Sequence, residues 1–385
     1  MAIDPKLMQS LRRINGNPFD AEGRGDVVST GVGGLDLIMQ GGFNFGSVHE
    51  CFGLSKTGKS LVMQLAARTA QRTYEDCIVA ILDRENAYDP ARTISLGLDP
   101  ERTIIIPSRK IPFVEDAYKA ILETMYLIES SVDGPKEADD SADDAGTEDV
   151  DKTAKGGKSS KGIGRNFRKS KSPRIVFLID SMPAFAESEN YVEDMGRRAK
   201  AWHAVFRRLM SALDPRVMIL VSNHIIYKPT AYGDGESKTT GIAINYYRDC
   251  GIKLTKLWKI FNADGVVIGE WLGAETDKTR RGAMYAATMF PVYFSKTPTT
   301  YYSGILPYCF YLGLAEMANK TGWEKERGKR DIWPNYKMCG KSISERDPVA
   351  VEAFCKEFDV FRLIKEREAE VYKGIAIDAP VAPTE

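Results

Sequence analysis

Residues 53–60, "GLSKTGKS", have the types and spacing that hold nucleotide phosphates. In such a loop the backbone N–H groups surround a phosphate at the start of a helix. Lys59 is placed to reach the β- and γ-phosphates, and the Ser60 hydroxyl is placed to hold Mg²⁺. The sequence therefore predicts a nucleotide site made of Gly53, Leu54, Ser55, Lys56, Thr57, Gly58, Lys59, Ser60 and Leu61.

Two carboxylates follow apolar stretches and could complete this chemistry. "RIVFLID" ends in Asp180, which we predict to be the second metal-side residue beside Ser60. The loop of residues 53–60 is a P-loop, and a helix follows it from Lys59. "AILDRENAYDP" places Glu85 just after the apolar strand that comes next. An acid at that strand end can accept a proton from water or polarise it.

The elements that must position these residues alternate between apolar strands and helical stretches. From about residue 47 to residue 223 the alternation indicates βαβ units and a mostly parallel sheet, with ligands at the carboxyl ends of its strands. After residue 250 three strands follow one another, which predicts an antiparallel end to the sheet. Helical patterns recur around residues 304–318 and 347–372. The predicted fold is α/β, with a short N-terminal helix and a small C-terminal appendage.

The composition is that of an ordinary globular protein, and it limits the function classes. The chain has 385 residues and zero formal net charge, so a nucleic-acid site must be a local patch. Its six cysteines are scattered without a C-x-x-C pair, which argues against disulfide frameworks and zinc sites. Neither a cleavable leader nor a run as long as a membrane span occurs, so we expect a soluble cytoplasmic protein without membrane contact.

The segment 133–173 differs from the rest of the chain. Residues 133–151 contain nine acidic residues and one lysine, and residues 152–174 contain nine basic residues and no acid. Low hydrophobicity with segregated charge is typical of a disordered insert. A solvated linker is the favoured interpretation, and a DNA-binding arm formed by the basic half is the alternative.

Three linked motifs resemble the ATPase core of the RecA family. They are "STGVGGLDLIMQGGFNFGSVHECFGLSKTGKS", "AILDRENAYDPARTISLGLDPERTIII" and "RIVFLIDSMPAF", in this order and spacing. The likeness covers about residues 28–310. "GLDPER" and "VSNH" resemble the phage branch typified by UvsX of T4-like viruses. The resemblance implies three segments: a polymerisation segment over 1–30, a RecA-like core over 31–310 that contains the insert, and a C-terminal appendage and tail over 311–385.

The resemblance also implies roles for individual residues. It makes Lys59 and Ser60 ligands of ATP and Mg²⁺, Glu85 the catalytic acid and Asp180 the second metal-side acid. His224, at the end of "MILVSNH", takes the place of the family's γ-phosphate sensor. Where the family commonly stacks an aromatic residue on adenine, this chain has Arg92, whose guanidinium plane can also stack on a base.

Two loops and one basic turn are implied to contact DNA or the neighbouring subunit. The stretch 228–249 corresponds to the second DNA-binding loop, and its length and glycine content suit a loop that orders on a polynucleotide. The stretch 186–198 corresponds to the first, a weaker candidate because it begins with acidic residues. The implied DNA-binding residues are Arg197, Arg198, Lys228, Lys238, Thr239, Thr240, Gly241 and Arg248. In "AETDKTRRGAM", Lys278 and Arg280 are implied to reach the γ-phosphate of the neighbour, with Arg281 as a possible substitute.

Together these features predict a DNA-dependent ATPase that forms filaments on single-stranded DNA, pairs it with duplex DNA and exchanges strands in recombination and repair. Expected partners are both forms of DNA, further copies of the chain, a mediator and a protein that binds single-stranded DNA. A hexameric helicase or clock-type ATPase on the same core is one alternative. A recombination mediator that barely hydrolyses ATP is the other.

Overall fold

The structure is a computed structural model that describes most of the chain in nine ranges. These are residues 26–133, 173–187, 197–230, 233–241, 243–262, 264–280, 285–295, 298–318 and 334–373. The predicted N-terminal helix, residues 134–172 of the predicted insert and the tail after residue 373 lie outside them.

A nine-stranded sheet forms the centre of the molecule. Eight strands run in the order β11-β10-β9-β3-β7-β6-β4-β5, and β8 pairs with β7. They are β3 Ser47–Gly53, β4 Ile78–Asp83, β5 Thr103–Pro107, β6 Ile175–Asp180, β7 Val217–Thr230, β8 Gly233–Lys238, β9 Arg248–Phe261, β10 Val267–Thr279 and β11 Ala287–Tyr293. Two smaller sheets pair β1 Val27–Val28 with β2 Phe43–Asn44, and join β12 Glu316–Met317, β13 Asn335–Met338 and β14 Lys341–Ser344.

The strand directions confirm the predicted α/β class. The neighbours from β9 to β5 are all parallel, whereas β10 is antiparallel to both β9 and β11. The β3, β4 and β6 strands end at Gly53, Asp83 and Asp180 along one edge, where parallel sheets bind ligands.

Eight helices are described. They are α1 Gly33–Met39, α2 Lys59–Thr73, α3 Pro90–Ser95, α4 Val114–Asp133, α5 Arg197–Ala212, α6 Ile305–Tyr311, α7 Pro348–Glu357 and α8 Val360–Lys373. The helical pattern 304–318 stops early, because Gly313 takes a positive φ and a short strand follows. The pattern 347–372 divides into α7 and α8 at Asp359, whose φ of 46° interrupts the helical path.

Two apolar clusters lie on the two faces of the central sheet. The cluster around α2 includes Val62, Leu65 and Cys51, and it extends to Phe354 and Ile364 of α7 and α8. The C-terminal helices therefore share a core with the strand that leads into the P-loop. The opposite cluster contains Val48 of β3 and Trp202 of α5.

The stretch predicted as one long loop after His224 contains regular structure. The β7 strand runs on to Thr230 and pairs antiparallel with β8, with Ile225 opposite Lys238. The loop prediction was therefore wrong over this hairpin. Glycine and threonine are typical of loops, and the composition of these residues does not reveal that β8 pairs with β7. A turn over residues 239–241 and a short 3₁₀ helix, Ala243–Tyr246, follow it.

Candidate functional site

The loop between β3 and α2 has the backbone geometry of a phosphate cradle. Lys56 and Gly58 adopt positive φ angles of 61° and 84°. A side chain on Gly58 would collide with Leu272, so glycine is needed there for space as well as for φ. The α2 helix begins without a side-chain cap, which leaves the first backbone N–H groups directed at the loop.

Lys59 occupies the buried floor of this cradle. Its ammonium donates to the carbonyls of Gly53 and Leu54 at 3.3 and 2.7 Å. Burial lowers the pKa of Lys59, and the nearby carboxylates of Asp180 and Glu85 act against that change. The ammonium is thus held within the loop that is predicted to bind the phosphates.

Asp180 ends β6 beside the start of α2, and its carboxylate is buried. One oxygen, Oδ1, accepts a hydrogen bond from the Ser222 hydroxyl, and the other accepts none of ordinary geometry from the described residues. Burial raises the pKa of Asp180, whereas the hydroxyls of Ser222 and Ser60 oppose the rise. An oxygen pair from a serine and a partly unsatisfied buried carboxylate fits a magnesium ion, which prefers few protein ligands and several waters.

Glu85 lies just beyond β4 and contacts Ser181, which follows β6, and His224, which lies in β7. Ser181 donates a short hydrogen bond to Oε1 of Glu85, and the same oxygen lies 3.4 Å from Nε2 of His224. The hydrogen bond with His224 is the largest cause that lowers the pKa of Glu85, and the Ser181 hydroxyl acts in the same direction. The carboxylate is therefore ionised and able to accept a proton at neutral pH.

The loop that carries Glu85 is shaped by an aspartate that the sequence analysis did not single out. Asp83, buried at the end of β4, accepts hydrogen bonds from the backbone N–H groups of Ala87 and Tyr88 at 3.0 and 3.1 Å. It fixes the path of the chain on both sides of Glu85. Its position at the end of an apolar strand, like that of Asp180, was a signal that could have found it.

A cavity of about 150 Å³ adjoins Ser60 and Asp180. Besides these two residues it is lined by Leu61, Gln64, Ala87, Tyr88, Asp89, Arg92, Thr93 and Leu96. Arg92 thus lies at the wall of a cavity that opens beside the P-loop, where the resemblance implied a base-stacking residue. The stacking of Arg92 on a base stays a prediction.

The predicted DNA-binding residues fall into separate groups. Lys238 and Arg248 lie together, and both contact the buried carboxylate of Glu50. Thr239 and Thr240 bond to the side chain of Asn223, the residue before His224. The remaining candidates lie elsewhere: Gly241 packs against Ala199, Arg198 pairs with Glu187 at 2.9 Å, Arg197 begins α5, and Lys228 lies in the hairpin strand.

The two basic residues predicted to act on a neighbour lie at the end of β10. Lys278 donates to the carbonyl of Asn245 at 2.5 Å, and the guanidinium of Arg280 is 3.7 Å from Asp249. The side chain of Arg280 is 58% exposed, so it is available to a second subunit. Arg281 lies outside the described residues.

Comparison with known proteins places the sequence near proteins named RecA. It is 30% identical over 119 residues to Protein RecA of Clostridioides difficile, which covers 27% of this chain and 34% of that protein. It is 24% identical over 265 residues to Protein RecA of Gluconacetobacter polyoxogenes, which covers 67% of this chain and 61% of the relative. A match of 35% over 82 residues to Protein RecA of Prochlorococcus marinus covers 21% of this chain and 22% of that protein.

The chain thus spans less than two thirds of the length of these relatives, and no family model matches it. The similarity agrees with the fold and with the RecA resemblance at a coarse level. Within the described ranges, no helix is long and apolar enough to cross a membrane. The same ranges hold no cluster of three or more His, Cys, Asp or Glu residues suited to a metal, and all six cysteines are free thiols.

Proposed function

We propose that this chain is a DNA-dependent ATPase that acts as a RecA-like recombinase. The observation that carries the proposal is the meeting of Glu85 and His224 at the strand ends beside Lys59 and Asp180. ATP hydrolysis needs a phosphate cradle and a general base, here Glu85. It also needs a residue that contacts both the general base and the γ-phosphate, here His224.

In the proposed reaction a water oxygen forms a bond to the γ-phosphorus of ATP. The bond from that phosphorus to the β–γ bridging oxygen breaks, and its electron pair leaves with ADP. Glu85 accepts a proton from the water, and its contacts with His224 and Ser181 hold the carboxylate in position. Lys59 offsets negative charge on the phosphates, and the loop N–H groups fix their orientation.

Ser60 and Asp180 are the residues that would hold Mg²⁺ in this site. When bound, the ion supplies positive charge that stabilises the phosphate oxygens during transfer. Around it Ser222 orients the Asp180 carboxylate by its hydrogen bond to Oδ1, and Tyr88, Asp89 and Arg92 line the space proposed for the nucleoside.

The proposal extends to DNA and to assembly. His224 directly precedes the first hairpin pair of β7 and β8, Ile225 with Lys238, so we propose that a change at the γ-phosphate is passed through His224 to this hairpin, which contacts DNA. The exposed Arg280 and the neighbouring Lys278 are proposed to act on the γ-phosphate of the next copy in a helical filament.

Finer assignments belong to the same proposal. We place the protein in the phage branch of the family because of "GLDPER" and "VSNH", and in the host cytoplasm on the same ground. A mediator and a protein that binds single-stranded DNA are proposed partners. The segments 1–30, 31–310 and 311–385 are the proposed functional units.

Two experiments test the proposal. The rate of ATP hydrolysis is measured with and without single-stranded DNA, and the protein is imaged by electron microscopy with single-stranded DNA and a slowly hydrolysed ATP analogue. Stimulated hydrolysis with helical filaments supports the recombinase. Closed rings would favour the helicase-type alternative, and DNA binding with negligible hydrolysis would favour the mediator.

A further inference from the structure

A buried carboxylate that the proposed chemistry does not use lies on β3, three residues before the P-loop. Glu50 has a fully buried side chain. It accepts hydrogen bonds from Asn223 at 2.8 Å, from Lys238 at 2.6 Å and from the guanidinium of Arg248. A buried charge is tolerated only when it is paired and hydrogen-bonded, so this cluster has a defined geometry.

The cluster lies on the sheet face opposite the P-loop helix. Glu50 shares its strand face with Val48, which packs in the cluster around α5, whereas Cys51 packs in the cluster around α2. Lys238 also lies over the ring of Phe52 at 3.8 Å, on the same face as Glu50. Removal of the Glu50 charge would therefore disturb its partners on β8 and β9 and not the phosphate cradle on the other face.

Arg248 carries the connection from Glu50 to β10. Its guanidinium bonds to Glu50 through one nitrogen and donates to Asp277 through another at 2.6 Å. The Arg248 side chain is only 3% exposed, so it cannot also bind a DNA phosphate in this arrangement. It bridges two carboxylates on different strands.

Asp277 lies at an irregularity in the pairing of β9 and β10. Thr276 pairs with Ile252 and Lys278 pairs with Gly251, so Asp277 is the extra residue of a bulge. Bulges turn the side chains beside them to new directions. The ion pair with Arg248 therefore holds the bulge immediately before Lys278 and close to Arg280.

Gly251 provides an independent sign that this ion pair is built into the strands. A side chain on Gly251 would collide with the guanidinium of Arg248 and with the carboxylate of Asp277. The glycine leaves the space across which the two charged groups meet. Its φ is not positive, so the space, and not backbone freedom, accounts for the glycine.

We propose that Glu50 is a positioning residue for the cations at the end of β10. Through Arg248 and Asp277 it fixes the bulge that directs Lys278 and Arg280 at the nucleotide of the next subunit. This inference rests on the proposed function, in which those cations act between subunits. Glu50 thus influences hydrolysis in the neighbouring copy and not at its own P-loop.

The test is Glu50→Gln in the full chain, which removes the charge and keeps the shape. We expect DNA-stimulated kcat to fall about tenfold or more, while the Kd for a fluorescent ATP analogue stays within about twofold. Glu270→Gln serves as the control, because Glu270 lies on β10 like Asp277 but pairs with Lys256, outside the Glu50 cluster. Full stimulated activity of Glu50→Gln would overturn the proposal.

Mixed assemblies locate the defect. Glu50→Gln protomers, with a sound P-loop, are combined with Glu85→Gln protomers, which keep sound cations but lack the base. We expect DNA-stimulated hydrolysis to recover where an intact P-loop meets intact cations. Failure to recover, with co-assembly verified by electron microscopy, would mean that Glu50 acts on its own site and would contradict the proposal.

Two further variants keep the test decisive if Glu50→Gln fails to fold. Asp277→Asn changes a partly exposed member of the cluster, and Gly251→Ala fills the space of the ion pair. Each should reproduce the kcat loss and the recovery in mixtures, and normal activity in both would overturn the proposal. An inactive wild-type chain would instead refute the proposed function, which separates the two failures.

Discussion

Nε2 of His224 lies 3.4 Å from Oε1 of Glu85, although His224 lies within β7 and Glu85 follows β4, far apart in the chain. His224 stands opposite Gly53 in the pairing of β7 with β3, and Glu85 follows the end of β4. The contact joins the proposed catalytic base to the residue directly before the hairpin, whose first pair is Ile225 with Lys238. Through this contact, a movement of Glu85 at the proposed γ-phosphate site would displace His224 and the hairpin that is proposed to contact DNA.

Replacement of Glu85 by Gln should separate nucleotide binding from turnover. The amide keeps the size of the side chain but cannot accept the water proton, so we expect turnover to fall roughly a hundredfold or more. The Kd for ATP should stay close to that of the unaltered protein. Rapid-quench hydrolysis and fluorescent nucleotide titration measure the two quantities, and an equal loss of both would contradict the assigned role.

Replacement of Lys59 by Ala should weaken the ATP-bound state itself. The ammonium is the buried cation of the cradle, and without it the phosphate charge is less well offset. Nucleotide titration is expected to show a Kd about tenfold higher or more, a loss that Glu85→Gln does not share. Lys119→Ala removes an exposed ammonium from α4, where it pairs with Asp116, and is the control that should leave the Kd unchanged.

Removal of the His224 side chain should move the pH dependence of hydrolysis. His224 lowers the pKa of Glu85, so the carboxylate stays ionised to lower pH in the intact protein. In His224→Ala that pKa rises, and the acid limb of the profile of kcat/KM against pH should shift to higher pH. His203→Ala, which alters an exposed histidine bonded to Tyr247, should leave the limb in place. If the acid limb of the His224→Ala profile does not shift, the claim that His224 lowers the pKa of Glu85 is contradicted.

Glu345 should make the stability of the protein fall as pH rises. It is buried, accepts weak hydrogen bonds from the N–H groups of Gly304 and Leu306, and has its pKa raised by burial to about 8. Below the ordinary pKa of glutamate both states are protonated. Between that value and pH 8 only the unfolded state ionises, which costs up to about 1.4 kcal/mol of stability per pH unit.

Glu345→Gln removes this ionisation and keeps an acceptor for the two N–H groups. Melting temperatures of the two proteins should lie close together near the acid end of the range and diverge toward pH 8, with the variant more stable. A constant difference across the range would show that Glu345 titrates normally in the fold.

Much of the site was predictable because its residues follow apolar strands, and parallel strands end at a common edge. That reasoning placed Asp180 and Glu85 beside Lys59, and the pattern of consecutive strands after residue 250 predicted the antiparallel end of the sheet. It could not find the β7–β8 hairpin, because the pairing of Ile225 with Lys238 depends on register and not on composition.

Long-range partners of single polar residues were also beyond the sequence. Glu50 lies within the mostly buried strand β3, and its partner Arg248 lies 198 residues further along the chain. Lys238 and Arg248 were predicted to bind DNA because the resemblance placed them in a DNA-binding loop. In the folded chain both are drawn to Glu50, and no local pattern marks that difference.

The central claim, that ATP hydrolysis is completed by cations from the neighbouring subunit, is tested most directly by complementation in mixed assemblies. Protomers carrying Lys278→Ala and Arg280→Ala keep an intact P-loop, and Glu85→Gln protomers keep both cations. Each variant alone should be nearly inactive on single-stranded DNA, whereas their mixture should regain DNA-stimulated hydrolysis at interfaces that join an intact P-loop to intact cations. No recovery, with co-assembly seen by electron microscopy, or substantial activity in the double-alanine variant alone, would contradict the account.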